Sequence, residues 1–333
     1  MKRNYCVDFL KLVFAVCIAL GHYGVNIFSE TIVYCFFIMS GYFLVQSFDS
    51  GKYTDGFSYS KARIKRIYPF YLIAFLILVL AMTFYAFKDG EGISYFYHAI
   101  ISCLPELTFT QSIGIYASGI NYPLWQMSTL IIASHILYSL MCFDRKLTTN
   151  VLSPIIVILG GAYFANAYGT HEIQYWGLLG SFVSAPLLRA FTGLCIGVSL
   201  YEFLKCVVNN LENKSGIFTT ILSVFGIFYF AANCRLGNTF QNVISFILIF
   251  ATCLCSKGIL SFLFNKKIFK VCEKLSLSIY VNHALIINVS KFITGNRINE
   301  RVAVCIYIVL LIVYAVVFMK VIDFVTAKIT KKC

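Results

Sequence analysis

Apolar residues run through this chain in long blocks, not at a helical or strand period. Ten such blocks fall at roughly 7–28, 31–48, 69–87, 121–142, 151–168, 182–203, 217–233, 240–256, 275–291 and 302–322. Each has about the length that an α-helix needs to cross a hydrocarbon core about 30 Å thick. The polar interruptions are short, apart from an aromatic, weakly charged stretch at 88–120. The pattern predicts an all-α, polytopic membrane protein of about ten transmembrane helices, with residues 1–333 forming a single integral membrane domain. The second block is short and contains Ser40-Gly41, so it is expected to be tilted or partly re-entrant. No stretch between blocks is long enough for a separate soluble domain. The first block runs past the length of a signal core and lacks a small-x-small cleavage site, so it reads as a retained helix.

Composition agrees. The chain is 59% hydrophobic and 12% charged, against about 45–50% and about 25% in soluble domains. With the N-terminus taken as cytoplasmic, 21 of the 27 Lys and Arg fall in inner segments and five in outer ones, Arg189 being left inside the sixth block. That asymmetry follows the positive-inside rule. An even number of spans returns the C-terminal "KITKKC" to the cytoplasm as well. The net charge of +13 is therefore loop charge directed at membrane lipids, and no nucleic-acid partner is expected. Most of the thirteen cysteines sit in apolar runs, among them Cys17, Cys35, Cys195 and Cys253, where cysteine acts as a small hydrophobe. Neither zinc-type spacing nor a disulfide pattern stands out, and no metal is expected.

Ionisable residues inside spans are costly and mark interior or wet positions. The first block, "DFLKLVFAVCIALGH", holds Lys11 and His22. Eleven residues bring His22 about 20° past three full turns, on the same helix face and about 16 Å further along the axis. Asp8, one turn before Lys11, is placed to pair with it. After the second block comes "KARIKRIYPFY", with Arg63, Lys65 and Arg66 clustered and Pro69 opening the third span. Two guanidiniums held together suit a phosphate, although loop charge or lipid head-group contact explains them equally simply. His283 lies mid-span with Ser276, Ser278 and Asn282; His135 reads as polar glue between helices. Arg189 is alone in its span beside Pro186 and calls for a partner such as Glu172, Glu30 or substrate. Glu30 follows the first span and either orients His22 or is a solvated loop acid. Trp125 either stacks on a sugar ring or belongs to the interfacial aromatic belt.

Five stretches carry a resemblance. "DFLKLVFAVCIALGH" resembles a first-helix motif of arginine and histidine with ten residues between them, Lys11 standing at the arginine position. "FFIMSGYFL", Arg63 and Arg66 with "RIYPFY", "NYPLWQMSTLI" and "SLSIYVNHALII" follow in order. Together they resemble the acyltransferase-3 family of integral membrane O-acyltransferases, along the whole chain and in its stand-alone form without an extracellular hydrolase-like domain. The resemblance implies O-acetylation of a glycan or other hydroxyl acceptor, with cytoplasmic acetyl-CoA as cosubstrate, in the bacterial inner membrane. On that reading His22 is the general base, or less directly the acyl carrier, and Lys11 lines the donor path. Arg63, Arg66 and Lys65 hold the CoA phosphates. His283, Trp125, Arg189 and Glu30 contact the acceptor. Lysine at position 11 keeps the cation and loses the planar fork. A transporter or flippase for a lipid-linked glycan is the competing class, and a glycan polymerase a third. The residues carry no signature of oligomeric state or of the acceptor's identity.

Overall fold

The computed structural model describes residues 3–25, 27, 29–88, 90–113, 119–168, 178–179, 183–236, 239–295 and 298–330. The helices are α1 (Tyr5–Tyr23), α2 (Ser29–Asp49), α3 (Gly56–Lys88), α4 (Gly92–Ser102), α5 (Leu104–Leu107), α6 (Trp125–Phe143), α7 (Arg145–Leu147) and α8 (Ser153–Tyr168). They continue as α9 (Ala185–Ser199), α10 (Tyr201–Glu212), α11 (Gly216–Leu236), α12 (Thr239–Leu254), α13 (Ile259–Phe264), α14 (Cys272–Thr294) and α15 (Glu300–Thr330). A two-residue antiparallel pairing joins Leu178–Leu179 to Val183–Ser184.

Every predicted block is helical, yet not every helix crosses alone. Among the described residues seven helices are long and apolar enough to span, and an eighth span results if α9 and α10, bent by 46°, are taken together. The α12 helix is apolar but shorter. The α14 helix has the length, but Ser276, Ser278, Asn282, His283 and Ser290 lower its hydropathy, and all five are buried. Its polarity is turned inward, as an uncharged hydrocarbon surround demands.

Three expectations change. The α3 helix starts at Gly56, not near Pro69, and runs through that proline for 33 residues. At 1.5 Å per residue it is about 50 Å long, so its first turns project beyond a core about 30 Å thick. Arg63 and Arg66 therefore stand on a helix, not in a loop. The sixth block breaks at Leu200. The second block is an unbroken helix, with 67% of its spanning window buried.

Ser40-Gly41 serves helix contact instead. A Cβ on Gly41 would lie 2.0 Å from the Leu194 carbonyl oxygen of α9, and one on Gly197 would lie 2.0 Å from the Ile38 carbonyl oxygen of α2. Gly193 and Gly197 are spaced as in the small-residue motif that lets two membrane helices approach closely. The α2 and α6 helices sit centrally, with 67% and 61% of their windows buried, whereas α8, α11 and α15 are 22–28% buried and turn Ile158, Phe228 and Val309 outward. The α1 helix is capped by the Asn4 side chain, which accepts from the Val7 amide at 3.1 Å, and is stopped by Gly24 at φ 110°. Arg3 pairs with Glu273 at 2.6 Å and Lys274 with Asp323. The start of α1, the start of α14 and the end of α15 thus share one face, here termed the basic face.

Gly197→Ala is expected to lower the melting temperature in detergent, overpacking a filled contact costing about 1–3 kcal/mol. Gly161→Ala, which meets nothing within 4 Å, should leave it unchanged or raise it slightly. Equal melting of the two variants would contradict the close α2–α9 packing.

Candidate active site

Lys11 and His22 both lie in the unbroken helix α1, Lys11 towards the basic face and His22 in the last turn. At the basic face Lys11 lines two adjoining cavities of about 400 and 650 Å³, which share Lys11, Phe36, Ser40, Arg63 and Arg66. The Arg63 guanidinium donates to the Tyr59 hydroxyl at 2.8 Å and to Ser40 Oγ at 3.4 Å, while its buried Nε has no acceptor among the described residues. Arg66 reaches Glu273 at 3.3 Å and is otherwise exposed. Lys65 lines the smaller cavity. The expected Asp8–Lys11 pair is not formed. Asp8 pairs with Arg3 at 2.6 Å, because Arg3 bridges Asp8 and Glu273. The Lys11 ammonium lies 5.1 Å from the centre of the Phe43 ring.

The smaller cavity runs inward to Gln126 and Tyr280. One side chain further lies the second cluster. His22, in the last turn of α1, stacks on His283 of α14 with ring centres 5.1 Å apart and planes 24° apart. Tyr122 meets His22 edge-on at 5.4 Å. Tyr280 packs on His283 at 5.7 Å and separates it from the cavity. His283 is fully buried. Its Nδ1 bonds the Tyr280 carbonyl oxygen at 2.7 Å, which makes Nδ1 the protonated nitrogen and leaves Nε2 an acceptor with no protein donor.

The stretch Asn121–Trp125 is a strap that builds this cluster. Asn121 Nδ2 donates to the Val281 carbonyl oxygen at 3.0 Å. The Tyr280 hydroxyl donates to the Pro123 carbonyl oxygen. Trp125 is 5% exposed, between Phe37 at 6.2 Å and the Arg189 guanidinium, 5.6 Å from its ring centre. It is therefore not in an interfacial belt. Arg189 is 4% exposed and has Trp125 as its neighbour. The Glu30 side chain and Glu172 lie outside the described residues. His135 binds Ser60 and the Gly56 carbonyl oxygen, tying α6 to α3 as polar glue.

Sequence reading missed Glu106. This carboxylate is fully buried in α5 and accepts the Ile120 amide at 2.7 Å and the Asn121 amide at 2.9 Å. The Tyr71 hydroxyl donates to its carbonyl oxygen at 2.9 Å, and Gln111 Nε2 donates to Tyr71 at 3.1 Å. Glu106 thereby fixes the strap that carries Tyr122 to His22. An acid following a proline within an aromatic segment was the available signal. Burial pushes its carboxyl up to about 7, against the opposing pull of the two amides.

Fold and site together define an integral membrane protein with a basic cavity at one face and, beyond it, a histidine pair of which His283 is fully buried. The acyltransferase domain model of the acyltransferase-3 type matches residues 4–320. No curated protein and no solved structure matches the chain. The chain belongs to the acyltransferase-3 family and is a membrane acyltransferase.

The Glu106 proton is held more tightly in the folded state, at about 7, than in an unfolded chain, near 4.5. The stability this contributes is complete below the unfolded value and is lost as pH rises through about 7. Melting temperature should therefore fall between pH 5 and pH 8. In Glu106→Gln that decline should be reduced, on a baseline lowered by about 1–3 kcal/mol for the amide left unpaired. An unchanged pH profile in the variant would exclude Glu106 as its source.

Proposed function

We propose that the protein is an O-acetyltransferase of the bacterial inner membrane, drawing acetyl-CoA from the basic, cytoplasmic face and acetylating a hydroxyl of a cell-surface or exported glycan. The observation that carries this reading is the shared cavity. Arg63, Arg66 and Lys11 line it together, the Arg63 Nε is buried without an acceptor, and its inner end lies one ring from the histidine pair.

Arg63, Arg66 and Lys65 hold the CoA phosphates, guanidinium being suited to paired contacts with phosphate oxygens. Lys11 stands beside the donor arm, where its ammonium adds to the positive charge that faces the CoA phosphates. The acceptor hydroxyl approaches from the opposite side, against Tyr122 and His283. As its oxygen attacks the thioester carbon, His22 takes the hydroxyl proton; the carbon–sulfur bond breaks and the CoA thiolate leaves, recovering a proton from His22 or water. Histidine is suited to that exchange at neutral pH. His283 Nε2, as an acceptor, orients the attacking hydroxyl. Trp125 and Arg189 back this side of the site, and Glu30 stands nearby in sequence to orient His22. A lipid-linked glycan transporter would need neither the anion cavity nor a base at its inner end.

Labelled acetyl-CoA added to membranes should mark the envelope glycan fraction. His22→Ala should lower this by at least about 100-fold, the contribution of a general base, with protein level unchanged. Lys11→Arg should retain activity, and Lys11→Met should lose about ten-fold or more, as expected when a charged contact is removed. Undiminished labelling in His22→Ala would overturn the assignment.

A further inference from the structure

At the face opposite the basic one, α1 stops while α14 runs on. The α1 helix ends at Tyr23, whose hydroxyl meets Ser290 Oγ at 3.5 Å, and α14 continues one turn further to Thr294. The start of α15 stands beside that last turn, and the three elements enclose a recess of about 430 Å³. Tyr23, Lys291, Thr294 and Glu300 line it, with apolar walls at Ile298 and Ala303. The Tyr23 ring lies flat on Tyr307, centres 4.3 Å apart, and the Lys291 ammonium is 6.0 Å from its centre. Lys291 and Glu300 are exposed, and neither joins an ion pair among the described residues. The Thr294 hydroxyl donates to the Ser290 carbonyl oxygen at 2.9 Å, which leaves its own oxygen as an acceptor.

The recess is in line with the histidine pair. His283 and Thr294 are eleven residues apart on α14, so they share a helix face and stand about 16 Å apart along the axis. Ser290 lies between them on that face, and all three are buried. On α1 the corresponding residues, His22 and Tyr23, are neighbours. One ammonium and one carboxylate give the recess no net charge, so it does not select a strongly anionic ligand. A donor, two acceptors, an aromatic ring and apolar walls suit a ligand with hydroxyls at its rim and C–H groups on its faces, as a sugar has. Resting on the acceptor reading above, we infer that the recess seats a second, uncharged sugar of the acceptor, remote from the one that is acetylated. The Lys291 ammonium donates to a hydroxyl oxygen of that sugar, and Glu300 accepts from another hydroxyl. An axial offset of about 16 Å is longer than one sugar. The acceptor class is therefore an oligosaccharide or longer chain, and a single sugar fills only the end at His22.

Transfer from labelled acetyl-CoA by the full-length protein in nanodiscs tests this. The acceptors are envelope glycan of the host cells, de-O-acetylated with mild base and partly hydrolysed, separated into single sugars and longer fragments. Wild type should use the longer fragments with kcat/KM about ten-fold or more above that for single sugars, the value of one charge-assisted contact. Lys291→Met and Glu300→Gln should each bring the two acceptors to within about three-fold, through a raised KM for the longer fragments. Both positions are exposed, so the variants are expected to fold. Undiminished preference in both variants, or equal use of both acceptors by wild type, overturns the recess and leaves the acceptor reading standing. A defect in Lys291→Met that appears only in nanodiscs containing phosphatidylethanolamine would place a lipid head group there and overturn it as well. No label on any fragment with folded wild type overturns the glycan reading, and the recess with it.

Discussion

Everything at this site depends on α1 lying against α14 with the polar residues of both helices turned towards one another. Neither helix can show those residues to hydrocarbon, where an unpaired polar group costs several kcal/mol. The pairing meets that constraint at both ends. At the basic face Arg3 joins Asp8 of α1 to Glu273 of α14. Near the far end His22 stacks on His283, and Tyr23 reaches Ser290 at 3.5 Å. The Tyr307 hydroxyl of α15 donates to the Ala19 carbonyl oxygen at 3.2 Å, holding the third helix of this group.

The strap at 121–125 turns that helix pair into a site. It is tied to α14 through Asn121 and Pro123, and to α5 through Glu106. It sets Tyr122 on His22 and Trp125 beside Arg189. The Tyr280 ring lies between the smaller basic cavity and His283. The division of labour follows from burial. Lys65 and Arg66 are exposed at the basic face, while His283 is enclosed.

Much of this was legible in the chain because membrane insertion imposes long apolar blocks, and each block proved helical. The eleven-residue spacing of Lys11 and His22 was also readable, since both lie in one unbroken helix. The start of α3 was not: the basic, mixed stretch before Pro69 reads as a loop, and a proline tolerated inside a helix leaves no separate signature. Ser40-Gly41 suggested irregularity, where Gly41, with Gly193 and Gly197 of α9, provides close packing. Asp8 was given to Lys11 on helix spacing alone, whereas Arg3, outside the helix, competes better. Glu106 and the hydroxyl of Tyr280 act across sequence separations that no local pattern encodes.

The central claim is that the donor is held at the basic face, apart from the group that takes the proton. Acetyl-CoA titration by calorimetry tests it most directly, comparing wild type, His22→Ala and the double Arg63→Ala, Arg66→Ala variant in nanodiscs. The account predicts saturable binding of similar affinity in wild type and His22→Ala, and loss of at least about ten-fold in the double variant, as expected when charged contacts are removed. Equal affinity in all three proteins, or no binding by well-folded wild type, would contradict it.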